Sequence, residues 1–423
     1  MRSRYRLAKQ PDGVFYGWVI VAAASLVLFV AYGIQFSYGV FVKAMGEEMG
    51  WTRAQTALPY AVYVFLYSAL SATSGRMTDR FGPRRVVGTG AVLLLVGWGL
   101  SSRARQPWHL LVTMGFVAAC GMSSTWAPCS GTVVRWFTRL RGTAVSITTS
   151  GGSVGNLVVP LIAALLVGTV GWRSTMLGMA VGGGVLIFLA AQLLYRDPES
   201  RGLHPDGDAV ATQTPISSLS LGDVQWTAPF LLIIGAYALT WLTVFVPFVH
   251  APAFAEELGA SDISAATVLS ATGVGGILGR LASGGISDRV GRFPTLLTMF
   301  GLTASAFFLF ASAEGIGPID GGLAMMWPAA VLFGWAYGGS TALFPALVGD
   351  IFGTTHAGTI IGAVFARAGS TAALGPYVAG WLYDSTGAYG TAFLLCGGLN
   401  VLGLGFVVAL ALNQRRSVST ETT

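Results

Sequence analysis

The sequence predicts an all-α membrane protein of twelve spanning helices in two six-helix bundles, with both termini in the cytoplasm, and three observations carry that expectation. Charged residues are only 10% of 423, the mean hydropathy is +0.67, and apolar runs of about twenty residues, the length a helix needs to cross a bilayer, recur throughout. The chain is also duplicated. Glu47-Glu48-Met49-Gly50 returns as Glu256-Glu257-Leu258-Gly259, and Ser74-Gly75-x-x-x-Asp79-Arg80-x-Gly82 returns as Ser283-Gly284-x-x-x-Asp288-Arg289-x-Gly291. The offset is 209 residues both times (47 to 256, 79 to 288). In a bilayer, such repeated halves characteristically flank a substrate path. The third observation is the distribution of basic residues along the expected loops.

Taken in order, the expected spans are 15–42, 54–75, 86–102, 108–134, 142–167 and 172–195, then 227–251, 263–285, 294–313, 323–349, 357–382 and 388–412. The first follows a basic N-terminal stretch but is too long for a signal-peptide core and lacks a small-residue cleavage site, so it is expected to be retained. The repeated phrase falls after the second span and again after the eighth. Between the sixth and seventh lies 196–226, which carries Asp197, Pro198, Glu199, Pro205, Asp206, Asp208 and a Ser/Thr-rich tail and reads as a cytoplasmic linker. The domains are therefore expected at 1–195 and 227–423. The fifth and eleventh spans align at an offset of 216 (142 to 358, 160 to 376, 171 to 387), which sets Arg367 opposite Gly151.

With the N-terminus inside, seventeen Lys and Arg fall in cytoplasmic segments, Arg76, Arg80, Arg84, Arg85, Arg135, Arg139 and Arg141 among them, and five in outer loops: Lys43, Arg53, Arg103, Arg105 and Arg173. This is the positive-inside pattern. The pI near 9.4 thus reports topology and not a nucleic-acid partner. Cys120, Cys129 and Cys396 lie in expected spans without metal-ligand spacing and are expected to be packing residues. No carboxylate pair, metal set or activated nucleophile is visible, which argues against an enzyme, a metal or a cofactor.

Two basic residues remain, Arg280 in the eighth span and Arg367 in the eleventh, while all eighteen Asp and Glu are expected in loops, tails or helix ends. An arginine within a span costs about 2.5–3.5 kcal/mol on insertion scales, and a structural one usually recovers part of that from a buried acid. The missing negative charge is therefore assigned to a substrate. Gly273, Gly276 and Gly284 share the helix face of Arg280, which leaves room for a small ligand or, alternatively, serves close helix packing. Arg367 shares its face with Ser370 and Thr371 and is expected to contact substrate, gate the path or hold helices together. His250, near the outer end of the seventh span, is the remaining side chain of a type that can carry a proton. Tyr32, Gln35, Asn156, Trp335 and Tyr337 complete the set of polar candidates, with Tyr63, Tyr67 and Thr240 behind them.

The phrase Gly75-x-x-x-Asp79-Arg80-x-Gly82, followed by Arg84 and Arg85, resembles the signature of the major facilitator superfamily, and the copy with Gly284, Asp288, Arg289 and Gly291 sits where that superfamily has its second. On physical grounds it is a gating and topology device: glycine allows close approach, Asp79 can cap or pair with neighbouring helix ends, and Arg80 and Arg84 anchor at the inner surface. Within the superfamily the chain is similar to the monocarboxylate transporter family. Asp12-Gly13-Val14-Phe15-Tyr16-Gly17-Trp18 resembles that family's opening of the first span with one residue more, and Trp136-Phe137-x-Arg139-x-Arg141-x-x-Ala144 through Ser150-Gly151-Gly152-Ser153-x-Gly155 resembles its fifth-span motif.

The resemblance implies proton-coupled symport of lactate, pyruvate or similar short monocarboxylates by alternating access, with Arg280 binding the carboxylate. The working unit is expected to be a monomer in the cell (inner) membrane. Two departures bear on the proton: the family's acid one turn before that arginine is Gly276 here, and no charge lies between Asp12 and Lys43. The proton then falls to His250 or to the substrate itself. An oxalate-type or dicarboxylate exchanger using both arginines is the nearest alternative, and a non-transporting receptor the alternative from another class.

Overall fold

The computed structural model describes residues 15–51, 53–208, 219–315 and 322–421, and among them the chain is helical without a strand. Asp12 to Val14 of the first-span motif and the centre of the expected linker lie outside the described residues. In chain order the helices are α1 (Tyr16–Phe36), α2 (Tyr38–Met49), α3 (Arg53–Phe81), α4 (Pro83–Ser101) and α5 (Pro107–Leu110). A wider π-helical stretch (Leu111–Ala118) leads to α6 (Ala119–Ser123), α7 (Trp126–Trp136), α8 (Arg141–Gln192) and α9 (Leu221–Val224). The remainder are α10 (Ala228–Glu257), α11 (Asp262–Val290), α12 (Arg292–Ser312), α13 (Met326–Phe352), α14 (Ala357–Ala368), a 3-10 turn (Gly369–Ala373), α15 (Gly375–Thr386) and α16 (Tyr389–Glu421). Among the described residues eight helical stretches are long and apolar enough to cross a membrane. One of them, α8, is two helices meeting at Gly171, whose φ of 78° and ψ of 162° are not helical.

Helices run past the apolar cores from which the sequence is read. The second expected span ends at 75, but α3 continues to Phe81, so Gly75, Asp79 and Arg80 stand on its last turns and only Gly82 forms the joint. The second copy behaves alike, with Gly284, Asp288 and Arg289 inside α11 and Gly291 outside it. Both joints need φ values, 84° and 106°, that L side chains rarely adopt, which is why glycine stands at each. Asp79 stands at a helix end, as expected of the acids, but it is only 7% exposed. Arg135 and Arg141, counted among the cytoplasmic segments, are likewise buried, at 7% and 6%. Cys129 and Cys396 are buried, but Cys120 is exposed on α6 and is not a core residue.

The chain divides into two compact units, one running to Leu221 and including Pro345–Ala363, the other comprising Gly222–Phe344 and the chain from Val364 onward. In the first, α8 packs along α1 and α4. A side chain at Gly151 would strike the carbonyl of Ser25, and one at Gly155 that of Phe29, so the two backbones meet directly. In the second, α16 packs on α10 and α12. A buried polar link ties it there: Thr240 donates to Asn400 at 3.0 Å, and Asn400 donates to Thr243 and to the Cys396 carbonyl, both at 2.9 Å. Each unit also ties a repeated glutamate to the corner before its last helix. Glu48 accepts from Trp172 Nε1 (2.6 Å) and Arg173 Nε (3.2 Å), and Glu257 accepts from the Tyr383 hydroxyl (2.5 Å).

Candidate functional site

Arg280 lies on α11, only 9% exposed, with its guanidinium carbon 5.6 Å from the ring centroid of Tyr337 on α13. Tyr337 is parallel to Phe333 (5.9 Å between centroids, 7° between planes), and Phe248 of α10 meets both edge-on at 6.3 and 6.0 Å. The cation thus sits against the face of an aromatic group and is attracted by its quadrupole. The glycines around Arg280 are divided in their use. Gly275, Gly276 and Gly279 bring α11 onto the backbone of α13, facing the carbonyls of Val331, Gly334 and Trp335 respectively, so the packing alternative applies there. Gly273 has open space where a side chain would be. Trp335 is half-buried, and its backbone is what Gly279 touches.

Arg367, next to the end of α14, is exposed, and its guanidinium lies 5.3 Å from the ring of Phe230. The helix stops one residue later. Ser370 donates to the Arg367 carbonyl at 3.1 Å, and Thr371 donates to the carbonyl of Ala238 at 2.9 Å. His250 Nε2 is 2.9 Å from the Pro376 carbonyl, and its ring is 5.6 Å from that of Tyr389. A carbonyl only accepts, so Nε2 carries the hydrogen and Nδ1 is the basic nitrogen.

The polar candidates of the first unit separate into two places. Gln35 is 2% exposed and donates to Tyr60 at 3.4 Å, joining a run of rings in which Tyr60 stacks on Tyr38 (5.1 Å) and Tyr63 lies between Tyr60 and Tyr67. Tyr32 instead meets Trp126 edge-on at 6.0 Å. Asn156 is half-buried on α8. Thr240 is engaged by Asn400.

A second constellation is denser than any of these; of its members, Asp79 and Gly75 belong to the repeated phrase, whereas in the sequence Arg135 and Arg141 figure as topology charges and Asp350 and Thr359 in no candidate site. The Asp79 carboxylate accepts from the backbone N–H and the hydroxyl of Thr359, at 2.7 and 2.5 Å, and pairs with Arg135. It therefore caps the first turn of α14, where unsatisfied N–H groups and the helix dipole favour a negative charge. Arg135 donates further to the carbonyls of Thr354 (2.9 Å) and Thr355 (2.7 Å). Arg141 pairs with Asp350 and donates to the Phe137 carbonyl at 2.9 Å. Glycines make the approach close enough: a side chain at Gly75 or Gly131 would run into Gly358. All of these residues belong to the first unit. In the second copy of the phrase, Asp288 accepts from Arg292 at 2.5 Å. Arg80 lies over the ring of Phe81, and Arg84 Nε donates to Gln192 at 2.7 Å.

Duplicated helical halves, a repeated Gly-x-x-x-Asp-Arg-x-Gly phrase and a cation buried within a helix define the class: a multi-pass membrane transporter of the major facilitator superfamily, whose sequence profile matches residues 24–364 and 252–422. Solved structures agree on the fold. The proton:xylose symporter XylE bound to 6-bromo-6-deoxy-D-glucose superimposes with a TM-score of 0.73 at 15% identity, over 93% of this chain and 95% of that one. A variant of the E. coli fucose:proton symporter FucP gives 0.69 at 15% identity, over 93% and 99%. Within the superfamily the chain belongs to the monocarboxylate transporter family. It is 32% identical to monocarboxylate transporter 11 of Mus musculus over 92% of this chain and 86% of that protein. Against monocarboxylate transporter 13 of Rattus norvegicus it is 26% identical over 95% and 90%.

Proposed function

We propose that the protein carries small monocarboxylates such as L-lactate or pyruvate together with a proton, by alternating access. The observation that carries this reading is Arg280: a buried cation on α11, held against Tyr337, in a chain of the monocarboxylate transporter family. A guanidinium offers a carboxylate two parallel hydrogen bonds, which an ammonium cannot. Arg367, Tyr337, Trp335, Tyr32, Gln35 and Asn156 would line or support the path. His250, with Nδ1 as its basic nitrogen, or the substrate carboxylate would take the proton.

The accompanying topology is twelve spans in an inner (cell) membrane, six in 1–195 and six in 227–423, joined by the cytoplasmic segment 196–226, with both termini inside and a monomer as the working unit. On that topology the Asp79, Arg135, Arg141 and Asp350 clasp lies at the cytoplasmic side. It would open and close with each cycle.

Coupling has an electrostatic reason. Moving a lone anion inward against an inside-negative potential costs about 2.3 kcal/mol per 100 mV, and a co-transported proton makes the step neutral. In vesicles of purified protein, L-lactate uptake should rise as external pH falls and drop when the pH gradient is collapsed. Arg280→Lys should lose about tenfold or more of that uptake although the charge is kept. Wild-type affinity in that variant would overturn the assignment. The exposed guanidinium of Arg367 favours one competing reading, a dicarboxylate or oxalate exchanger. Uptake that ignores the gradient and accelerates with internal oxalate would establish it instead.

A further inference from the structure

Four residues, Phe137 to Leu140, join α7 to α8, and the group that holds three of their backbone N–H groups belongs to neither helix. Asp206 lies more than sixty residues further on and turns its carboxylate onto this link. Oδ2 accepts from the backbone N–H groups of Thr138 (3.0 Å) and Arg139 (2.8 Å), and Oδ1 accepts from that of Leu140 (3.4 Å). The side chain is only 2% exposed. Asp206 is also the one non-glycine residue with positive φ, 59°, among the described residues, a conformation that aspartate and asparagine tolerate better than other side chains.

Its neighbours hold it there. Asp208 accepts from Arg139 at 2.7 Å, and Arg201 lies over the rings of Tyr16 and Tyr195, 3.9 and 4.6 Å from their centroids. Gly207, with φ 77°, passes so near Phe15 that a side chain would come within 2.9 Å of its ring. Residues 195–208 are therefore a strap laid over the ends of α1, α7 and α8, all within one unit.

The strapped link carries the clasp on its two sides. Arg135 is the next-to-last residue of α7 and holds the carbonyls of Thr354 and Thr355. Arg141 is the first residue of α8, bonds back to the Phe137 carbonyl within the link, and holds Asp350. The separation and aim of the two guanidiniums depend on the link, and the link depends on three successive N–H groups converging on one carboxylate. We propose that Asp206 is a positioning residue of the clasp: it sets the two arginines so that the segment 350–359 is gripped. The geometry stands apart from the clasp's role in transport, and only the expected effect on uptake rests on the reading given under Proposed function.

The test compares Asp206→Gly with Asp206→Asn in the full-length purified protein. Both residues accept the left-handed backbone, but only asparagine keeps an acceptor. Hydrogen exchange of the Asp206→Gly protein should speed up at 138–140 and also, by about tenfold, at 354–359, whereas Asp206→Asn should stay within about twofold of wild type at 354–359. L-Lactate uptake should fall in Asp206→Gly with equilibrium L-lactate binding unchanged. Faster exchange confined to 138–140 would overturn the proposal, since a purely local structural role predicts that pattern. Faster exchange at 354–359 with undiminished uptake would uphold it and refute the clasp as gate. Should Asp206→Gly not accumulate, Gly207→Ala displaces the same strap through Phe15. It should raise exchange at 354–359 by about threefold, and unchanged exchange there would count against the proposal.

Discussion

The repeat makes the helix pair α1 and α8 of one unit equivalent to α10 with residues 364–386 of the other, yet the two are joined by different chemistry. Where Gly155 meets the carbonyl of Phe29 by backbone approach, the repeat sets Thr371, which reaches the matching carbonyl of Ala238 with a 2.9 Å hydrogen bond. Where Gly151 meets Ser25, the repeat sets Arg367, which leaves the seam and lies over Phe230. One turn further on, large and small exchange places: Gly33 receives Val159 in the first pair, whereas in the second Gly375 comes up against the carbonyl of Leu242. The helix that closes on glycine runs unbroken from Arg141 to Gly171. The one bearing the arginine and threonine breaks into a 3-10 turn at Gly369–Ala373. One scaffold thus supplies an unbroken helix closed on glycine in one unit and, in the other, a broken helix carrying a cation.

The strongest way to break this contrast is to put bulk into the glycine seam. Gly155→Leu has no room against the Phe29 backbone and should cost upward of about 3 kcal/mol, seen as loss of folded protein in detergent; a normal yield and melting temperature would mean the seam is not tight. Arg367→Gln comes next. If the broken helix is a moving part and not the carboxylate site, turnover should fall about tenfold while L-lactate binding stays within about twofold. Complete loss of equilibrium binding in a folded protein would instead bring Arg367 into direct contact with substrate and favour the dicarboxylate reading.

The smallest effect is expected at Thr371→Val, which keeps the shape and removes the hydroxyl shared between the Ala238 and Ala368 carbonyls, for about 1 kcal/mol measured as a lowered melting temperature. Serine at that position should restore most of it.

The all-helical membrane fold and its superfamily were legible because bilayer crossing and duplication both write long-range patterns into the chain. Arg280 was legible for a related reason: a cation is rare in a span, so its position alone singles it out. The clasp was not. Asp79 and Thr359 are 280 residues apart, and nothing in the local pattern near Arg135 or Arg141 distinguishes a buried grip from a solvated topology signal. Hydropathy also ends a helix where its apolar core ends, which moved Asp79 out of α3; that its carboxylate could cap or pair with a neighbouring helix end was legible, but which helix was not. Asp206 was visible only as one polar residue in a linker, because its effect depends on a backbone turn that composition does not encode. Around Arg280 the spacing offers glycines either for a ligand or for packing, and which of them pack and which stay open depends on where α13 lies.

The membership of Pro345–Ala363 in the first unit has a consequence during synthesis. The unit starts to form as soon as α1 to α8 have been inserted, but the partners of Asp79, Arg135 and Arg141 reach it only after Thr359 has left the ribosome. Until then, two arginines and an aspartate lack the partners that compensate their burial, and closing the unit over them in that state would be costly. A chain terminated before α14 would keep that defect for good. The same residues that grip the finished protein thereby mark an incomplete one, and truncated products should be the ones most readily recognised and degraded.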